Sequence, residues 1–253
     1  MKYGICPLSI VPLRAEASDP SEMVTQILYG DTLEVLEDGK KWSRIRLEFD
    51  GYEGWIDNKQ FVFISEEAYQ GLKEMNPVLS SDLVDFITTS EEQLLCIPLG
   101  SSLNGLEVIN HKFEGKSISG KLKKDQLINT ALLYLNTPYL WGGKTPFGID
   151  CSGFTQMVYK LNGYALLRDA SDQSVQGDAL SFIEESEAGD LAFFDNEDGA
   201  IVHVGIIMDD NYIIHAHGKV RIDRLDHTGI FNSELGKHTH KLRVIKRIIP
   251  SIK

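Results

Sequence analysis

The spacing of apolar residues changes character near Lys123, and that change limits the possible folds more than any other feature of the chain. Before it, short β-like runs alternate with turn clusters: Val24 to Leu28, Thr32 to Leu36, Trp42 to Leu47 and Gly54 to Ile56. Asp38-Gly39 and Asp50-Gly51 are hairpin signals, because glycine takes positive φ without a Cβ clash. Short strands so closely spaced predict a small barrel. Ser65 to Met75, ahead of Asn76-Pro77, reads as a helix or linker. Leu83 to Thr88, Gln93 to Ile97 and Leu106 to Asn110, punctuated by Gly100, Gly105 and Gly115, read as a second small barrel.

After Lys123 the period becomes helical. Leu127, Ala131, Leu132 and Leu135 share one face until Asn136-Thr137-Pro138 ends the run. Asp150 then opens a second helix, with Phe154, Met157, Val158 and Leu161 on one side and Gly163 as its stop. Leu191 to Phe194, Val202 to Met208, Tyr212 to Ala216 and Leu242 to Ile249 follow as strands. Helices first and an antiparallel sheet after them make an α+β domain.

Composition narrows the classes of function. A 253-residue chain that is 42% hydrophobic and 25% charged is an ordinary globular protein. Its net charge of -12 repels phosphate backbones and anionic headgroups, so neither nucleic acid nor membrane is expected as a partner. Lys123-Lys124 reads as a solvated helix face. No apolar run approaches the roughly 20 residues that cross a bilayer. Met1 to Ala15 is interrupted by Cys6-Pro7 and Pro12, so no signal peptide is expected. Cys6, Cys96 and Cys151 are odd in number and far apart, so no disulfide framework is expected and a reducing cytoplasm is the expected location.

Cys151 carries the chemistry. Behind the N-cap Asp150 it falls in the first turn of its helix, where the partial positive charge favours an anion. Beside an imidazolium, a thiol in that position can fall from a pKa of about 8.5 to roughly 3.5–7.5. An isolated cysteine is more often a small buried residue, but the histidines change that reading. Val202 to Met208 puts His203 on one face, Asp209-Asp210-Asn211 forms a turn, and the returning strand puts Ile213, His215 and His217 on one face. The hairpin brings His203 beside both His215 and His217, so one imidazole can take the thiol proton while another orients it. Periodicity does not choose between His215 and His217. Neither Cys-x-x-Cys nor His-Glu-x-x-His occurs, so no metal is expected, and His227, His238 and His240 read as exposed loop residues. Gly142-Gly143 lacks the Lys-Ser/Thr of a phosphate loop, and no cofactor is expected. Trp42, Trp55 and Trp141 read as core.

Five blocks, in order, resemble the signature of the NlpC family of cell-wall cysteine peptidases. They are Pro138-Tyr139-Leu140-Trp141-Gly142-Gly143 with Gly148-Ile149-Asp150-Cys151-Ser152-Gly153-Phe154, then Leu167-Arg168-Asp169-Ala170-Ser171-Asp172-Gln173, Ala188-Gly189-Asp190-Leu191-Ala192-Phe193-Phe194, His203-Val204-Gly205-Ile206 and Ile214-His215-Ala216. Ser21 to Gln26 and Gly51-Tyr52-Glu53-Gly54-Trp55-Ile56 resemble bacterial SH3-like domains. The resemblance implies an SH3-like domain over residues 1–64, a linker helix and second SH3-like domain over 65–120, and a papain-like catalytic domain over 121–253.

It also implies roles. Cys151 is the nucleophile, His203 the base and His215 the third polar residue. Tyr139 and the Cys151 backbone N–H lie at the oxyanion, where losing a donor costs about 10²–10³ in turnover. The implied reaction is hydrolysis between γ-D-glutamate and L-lysine or meso-diaminopimelate in murein peptides with a free N-terminal L-alanine. Asp150 and Ser152, with Glu22 and Tyr52, are expected to receive the ammonium. Arg168 is expected to receive the D-glutamate α-carboxylate, since a guanidinium matches it bidentately. Asp169 and Ser171 complete the expected substrate-binding set. The alternatives are an amidase or acyltransferase on the same core, and a peptidoglycan-binding protein with an inert catalytic domain. The sequence is silent on oligomeric state and on lysine versus diaminopimelate.

Overall fold

The computed structural model describes residues 1–250; the last three residues of the expected catalytic domain, 251–253, lie outside the described residues. Two compact units form, one from Met1–Lys121 with Trp141–Pro146, the other from Leu122–Leu140 with the chain from Phe147 onward.

In the first unit, seven strands run β1 (Lys2–Ile5), β2 (Ile10–Arg14), β3 (Met23–Leu28), β4 (Thr32–Asp38), β5 (Trp42–Leu47), β6 (Glu53–Asp57) and β7 (Val62–Ile64). They form one antiparallel sheet in the order β3-β2-β6-β5-β4-β1-β7. The expected turns hold it: Gly51 has φ 72°, and the Asp50 carboxylate accepts the Tyr52 N–H at 3.0 Å, an Asx turn that reverses the chain between β5 and β6. Alternating residues of these strands, among them Val11, Leu13, Ile27, Leu33, Ile45 and Ile56, close on a dry core.

Helix α1 (Glu66–Glu74) starts where Ser65 accepts the Ala68 N–H at 3.1 Å, as the helix-or-linker reading allows. Beyond it, β8 (Val78–Ser80) pairs with β12 (Ser117–Ser119), while β9 (Val84–Thr88) lies between β10 (Leu94–Pro98) and β11 (Lys112–Phe113). The strand expected over Leu106 to Asn110 is instead a run of turns. Its apolar residues Leu106 and Ile109 pack against a small core of Ile87, Ile97 and Leu103 without pairing.

The second unit is built on α2 (Gln126–Leu132) and α3 (Cys151–Leu161), between which lie the two-residue strands β13 (Lys144–Thr145) and β14 (Gly148–Ile149), the former in the segment that belongs to the first unit. After α3 come α4 (Ala170–Gln173), β15 (Asp178–Leu180), a 3-10 turn at Ile183–Glu185, and β16 (Leu191–Asp195), β17 (Ile201–Met208), β18 (Tyr212–His217), β19 (Lys219–Leu225), β20 (Gly229–Asn232) and β21 (Lys237–Arg247). The last six strands follow one another as antiparallel neighbours, and β21 pairs with both β16 and β20. The ring therefore closes into a six-stranded barrel, with β15 added outside on β21.

Period-2 alternation sorts the barrel's residues. Ala192, Phe194, Ile207, Ile213, Leu225, Ile230 and Ile245 form its interior cluster. On the opposite face Val204, Ile206, Ile214 and Ala216 are fully or nearly fully buried, and α3 packs on β17 and β18. Every residue of α3 is buried, and its polar side chains find partners inside: Thr155 donates to Gln173 Oε1 at 2.6 Å and Gln156 to the Leu166 carbonyl at 3.0 Å. Among the described residues no helix is long and apolar enough to cross a membrane.

Candidate active site

Asp150 caps α3: its backbone is extended, and its carboxylate accepts the Gly153 N–H at 2.6 Å. Cys151 thus occupies the first helical position, as expected, and is buried. The sulfur accepts from the backbone N–H of Val204, the residue after His203, and from that of Ser152. Burial nonetheless pushes the thiol up to about 12, and the Asp150 carboxylate adds to the rise; these two outweigh the backbone N–H groups and Arg168. The expected drop in thiol pKa is therefore reversed: Cys151 rests as a neutral thiol.

The two histidines meet as the strand alternation requires. Gly205 pairs with His215 across β17 and β18. A Cβ at position 205 would stand 2.8 Å from that of His215, so glycine leaves the His215 ring room to swing toward His203. His203 Nε2 and His215 Nδ1 are 2.8 Å apart. His217, the alternative orienter, is exposed and makes only a ring contact with His203, at 6.5 Å between centroids. Of the two rings that periodicity left open, His215 is the one within hydrogen-bond distance of His203.

The chain of contacts continues to two residues that sequence reasoning missed. His215 Nε2 lies 3.0 Å from Asp223 Oδ2, and Arg221 grips that carboxylate through Nε at 2.7 Å and Nη2 at 3.0 Å. His215 faces Arg221 directly across β18 and β19, with Asp223 on the diagonal. Burial pushes His215 down against the pull of Asp223, and burial with the neighbouring His215, His240 and His217 holds His203 well below an ordinary imidazole. Both rings are neutral near pH 7.

His240 corrects a further expectation. The polar sequence predicts an exposed loop residue there, but β21 begins at Lys237 and carries it, partly buried, against His203. The strand was read only from Leu242 because His238, Thr239, His240 and Lys241 are polar.

Tyr139 stands close to the nucleophile. Leu140 N–H donates to Ile149 O and Ile149 N–H to Pro138 O, both at 3.1 Å, which clamps residues 138–140 beside the residues leading into α3. Burial, with Cys151 and Asp150 nearby, raises the phenol, so it is a neutral O–H donor.

Arg168 turns toward the base of α3. It is only 2% exposed, and its guanidinium reaches inward: Nη2 to Asp150 Oδ2 at 2.6 Å, Nη1 to Asp150 Oδ1 at 3.0 Å and to Ser152 Oγ at 2.9 Å. In this position the guanidinium neutralises the buried Asp150 carboxylate behind the nucleophile. Gln173 adds to that support, donating to the carbonyls of Ser152 and Leu167 at 2.9 Å each. Asp169 precedes α4 and is partly exposed, and Ser171 is exposed in its first turn. Glu22 and Tyr52 belong to the first unit, where Glu22 accepts the Trp141 Nε1–H at 2.6 Å and Tyr52 packs on the barrel core. Trp141, expected in a core, is 61% exposed.

Comparison with known proteins identifies the fold and its relatives. The NlpC/P60 family matches residues 136–239, and the bacterial dipeptidyl-peptidase Sh3 domain matches residues 13–61. The chain is 30% identical over 217 residues to a gamma-D-glutamyl-L-lysine dipeptidyl-peptidase of Bacillus subtilis, covering 76% of this chain and 71% of that one. It is also 30% identical to dipeptidyl-peptidase 6 of Lysinibacillus sphaericus, with 85% and 88% covered. A crystal structure of an NlpC/P60 family protein from Bacillus cereus superposes with a TM-score of 0.81 at 21% identity, over 98% of this chain and 100% of that one, and shows the same fold.

Proposed function

The chain belongs to the NlpC/P60 family, and from that premise we propose that it is a cysteine peptidase acting on murein peptides with a free N-terminal L-alanine. It hydrolyses the amide between γ-D-glutamate and L-lysine or meso-diaminopimelate, in the recycling of wall peptides. The observation that carries the reading is the 2.8 Å contact between His203 and His215, on the strand whose Val204 N–H meets the Cys151 sulfur.

In this reading the resting pair is neutral, so deprotonation and attack run together. The Cys151 proton passes to His203 as sulfur bonds to the carbonyl carbon, and the carbonyl π electrons move to oxygen. The Tyr139 hydroxyl and the Cys151 backbone N–H donate to that oxyanion. Collapse returns the His203 proton to the departing amine of the diamino acid and leaves a thioester on Cys151. Water, deprotonated by His203, then releases L-alanyl-γ-D-glutamate. Asp150 and Ser152 are assigned to the substrate ammonium; the names of the relatives, one of which specifies a gamma-D-glutamyl-L-lysine bond, support the substrate class.

A digest of L-Ala-γ-D-Glu-L-Lys and its diaminopimelate counterpart, each with and without muramic acid on the alanine, tests the proposal. Mass spectrometry is expected to find the free-amine peptides cut and the blocked ones intact. Intact free-amine peptides, with Cys151 reduced and alkylatable, would sink it.

A further inference from the structure

The hydrogen-bond chain from His203 does not end at His215, and its far end decides where every proton on it sits. Arg221 donates to both oxygens of Asp223, at 2.7 and 3.0 Å, the fork that a guanidinium makes on an ionised carboxylate. Burial by itself would raise the Asp223 carboxyl; the donors His215 and Arg221 overcome it and hold the group below its ordinary value. An ionised carboxylate only accepts, so the 3.0 Å contact to Oδ2 puts a proton on His215 Nε2. A neutral imidazole carries one N–H, which makes His215 Nδ1 an acceptor. The 2.8 Å contact is then a bond donated by His203 Nε2, and His203 Nδ1 is left with its lone pair.

We propose that Asp223, clamped by Arg221, is a positioning residue that fixes the tautomers of both His215 and His203 and leaves His203 Nδ1 as the nitrogen that takes the Cys151 proton. The proposal rests on the peptidase reading for the identity of the reaction, but not for the tautomers. When the thiol proton arrives at Nδ1, the imidazolium faces the Asp223 carboxylate through His215; no proton moves along the chain, as in the orienting role of a triad aspartate. The charges around the rings make this carboxylate decisive. Strand β18 brings His217, β21 brings His240, β19 brings Arg221 with Asp223, α3 brings Cys151, and β16 brings the Phe194 ring. Among these, Asp223 is the single anion that touches the histidine chain.

Nitrogen-15 NMR of the wild-type chain decides first, with each ring assigned by loss of its signal in a single histidine variant. Both His203 and His215 are expected as Nε2–H tautomers with a bare Nδ1 at neutral pH. An Nδ1–H tautomer at His203 overturns the proposal, with no variant needed. Asp223→Asn then supplies the second test. An amide does not accept from His215 Nε2 and both Arg221 donors at once, so part of the His203 population is expected to shift to Nδ1–H. A wrong tautomer costs a serine-protease triad about 10⁴ in turnover; one imidazole further from the nucleophile, we expect kcat/KM to fall about 10²-fold. The acid limb of the pH profile is expected to move to lower pH, because Arg221 loses its counter-ion, and Asp223→Glu is expected to restore part of the activity. Unchanged tautomers and an unmoved limb in Asp223→Asn, whatever its activity, refute the proposal. Tautomers as expected in a protein that leaves murein peptides uncut would instead refute the substrate reading alone.

Discussion

The ring of His240 lies stacked on the ring of His203, with centroids 4.2 Å apart and 24° between their planes. Two imidazoles so close do not both charge easily. Burial first, then His215 and His217, bring His240 down to about 4. Replacing it by phenylalanine keeps a ring in the stack and removes a competing cation. The acid limb of kcat/KM in His240→Phe is expected to move toward higher pH, by less than about one unit given the remaining histidines. A limb that stays put would show that His240 does not touch the His203 equilibrium.

The same depressed imidazoles tie stability to pH. Unfolded histidine takes a proton near 6.5, whereas native His240 waits until about 4 and native His203 until well below its ordinary value. The unfolded chain binds more protons in that window, so native stability is whole above about 6.5 and is lost as pH falls toward 4. Urea midpoints between pH 7 and pH 4 are expected to decline, with a loss on the order of 2 kcal/mol from His240. His240→Phe should flatten part of that slope.

Because Cys151 rests as a thiol pushed up to about 12, its alkylation by iodoacetamide in the free protein is expected to be slow at pH 7 and to climb beyond pH 9. The measurement belongs in a Cys96→Ser background, since Cys96 is the exposed free thiol. A plateau below pH 7 would mean that a thiolate–imidazolium pair forms without substrate.

His215→Ala is expected to lower kcat by orders of magnitude, because His203 loses its 2.8 Å hydrogen-bond partner in the barrel interior. His217→Ala, at an exposed position that makes ring contacts with the cluster, is expected to change it less than about threefold. Equal losses in the two variants would place the orienting role elsewhere.

Removing Arg168 leaves the Asp150 carboxylate buried behind the nucleophile without its guanidinium. Arg168→Ala is expected to cost about 3–5 kcal/mol of stability, the range for breaking a buried pair from one side. Arg168→Ala with Asp150→Asn should recover part of it. Chemical denaturation distinguishes this from a substrate-binding role, in which KM would rise and stability would hold.

Helix α3 and the first barrel were legible because each combines an unambiguous period with its own punctuation: Asp150 and Gly163 around the helix, Asp-Gly pairs between strands. The His203–His215 contact was legible to within one choice, since alternation says which side chains share a face but not which diagonal closes. Asp223 was hidden because it lies on a strand that alternates without a motif, Arg221-Ile222-Asp223, and its partner is fixed by register with β18. His240 was hidden because its stretch is polar and the strand there is recognised only once the ring of strands is closed. Arg168 was ambiguous for a different reason. A guanidinium near an active site serves a substrate or a neighbouring carboxylate equally well on paper, and only its burial separates the two.

The closing of that ring by β21 also orders events in time. Strands β16 to β20 can pair one after another as local hairpins, but β21 must find β16 across the whole intervening chain before the barrel exists. Contacts of such sequence separation form late, after their loop-closure entropy is met. His203, His215 and Asp223 can assemble on adjoining hairpins, yet the walls that hold the imidazoles dry and neutral come with the final strand. A chain stalled short of β21 would lack His240 against His203 and leave the ring of strands open beside the imidazoles. The maturation of this site is thus a step in folding, and the last strand acts as its timer.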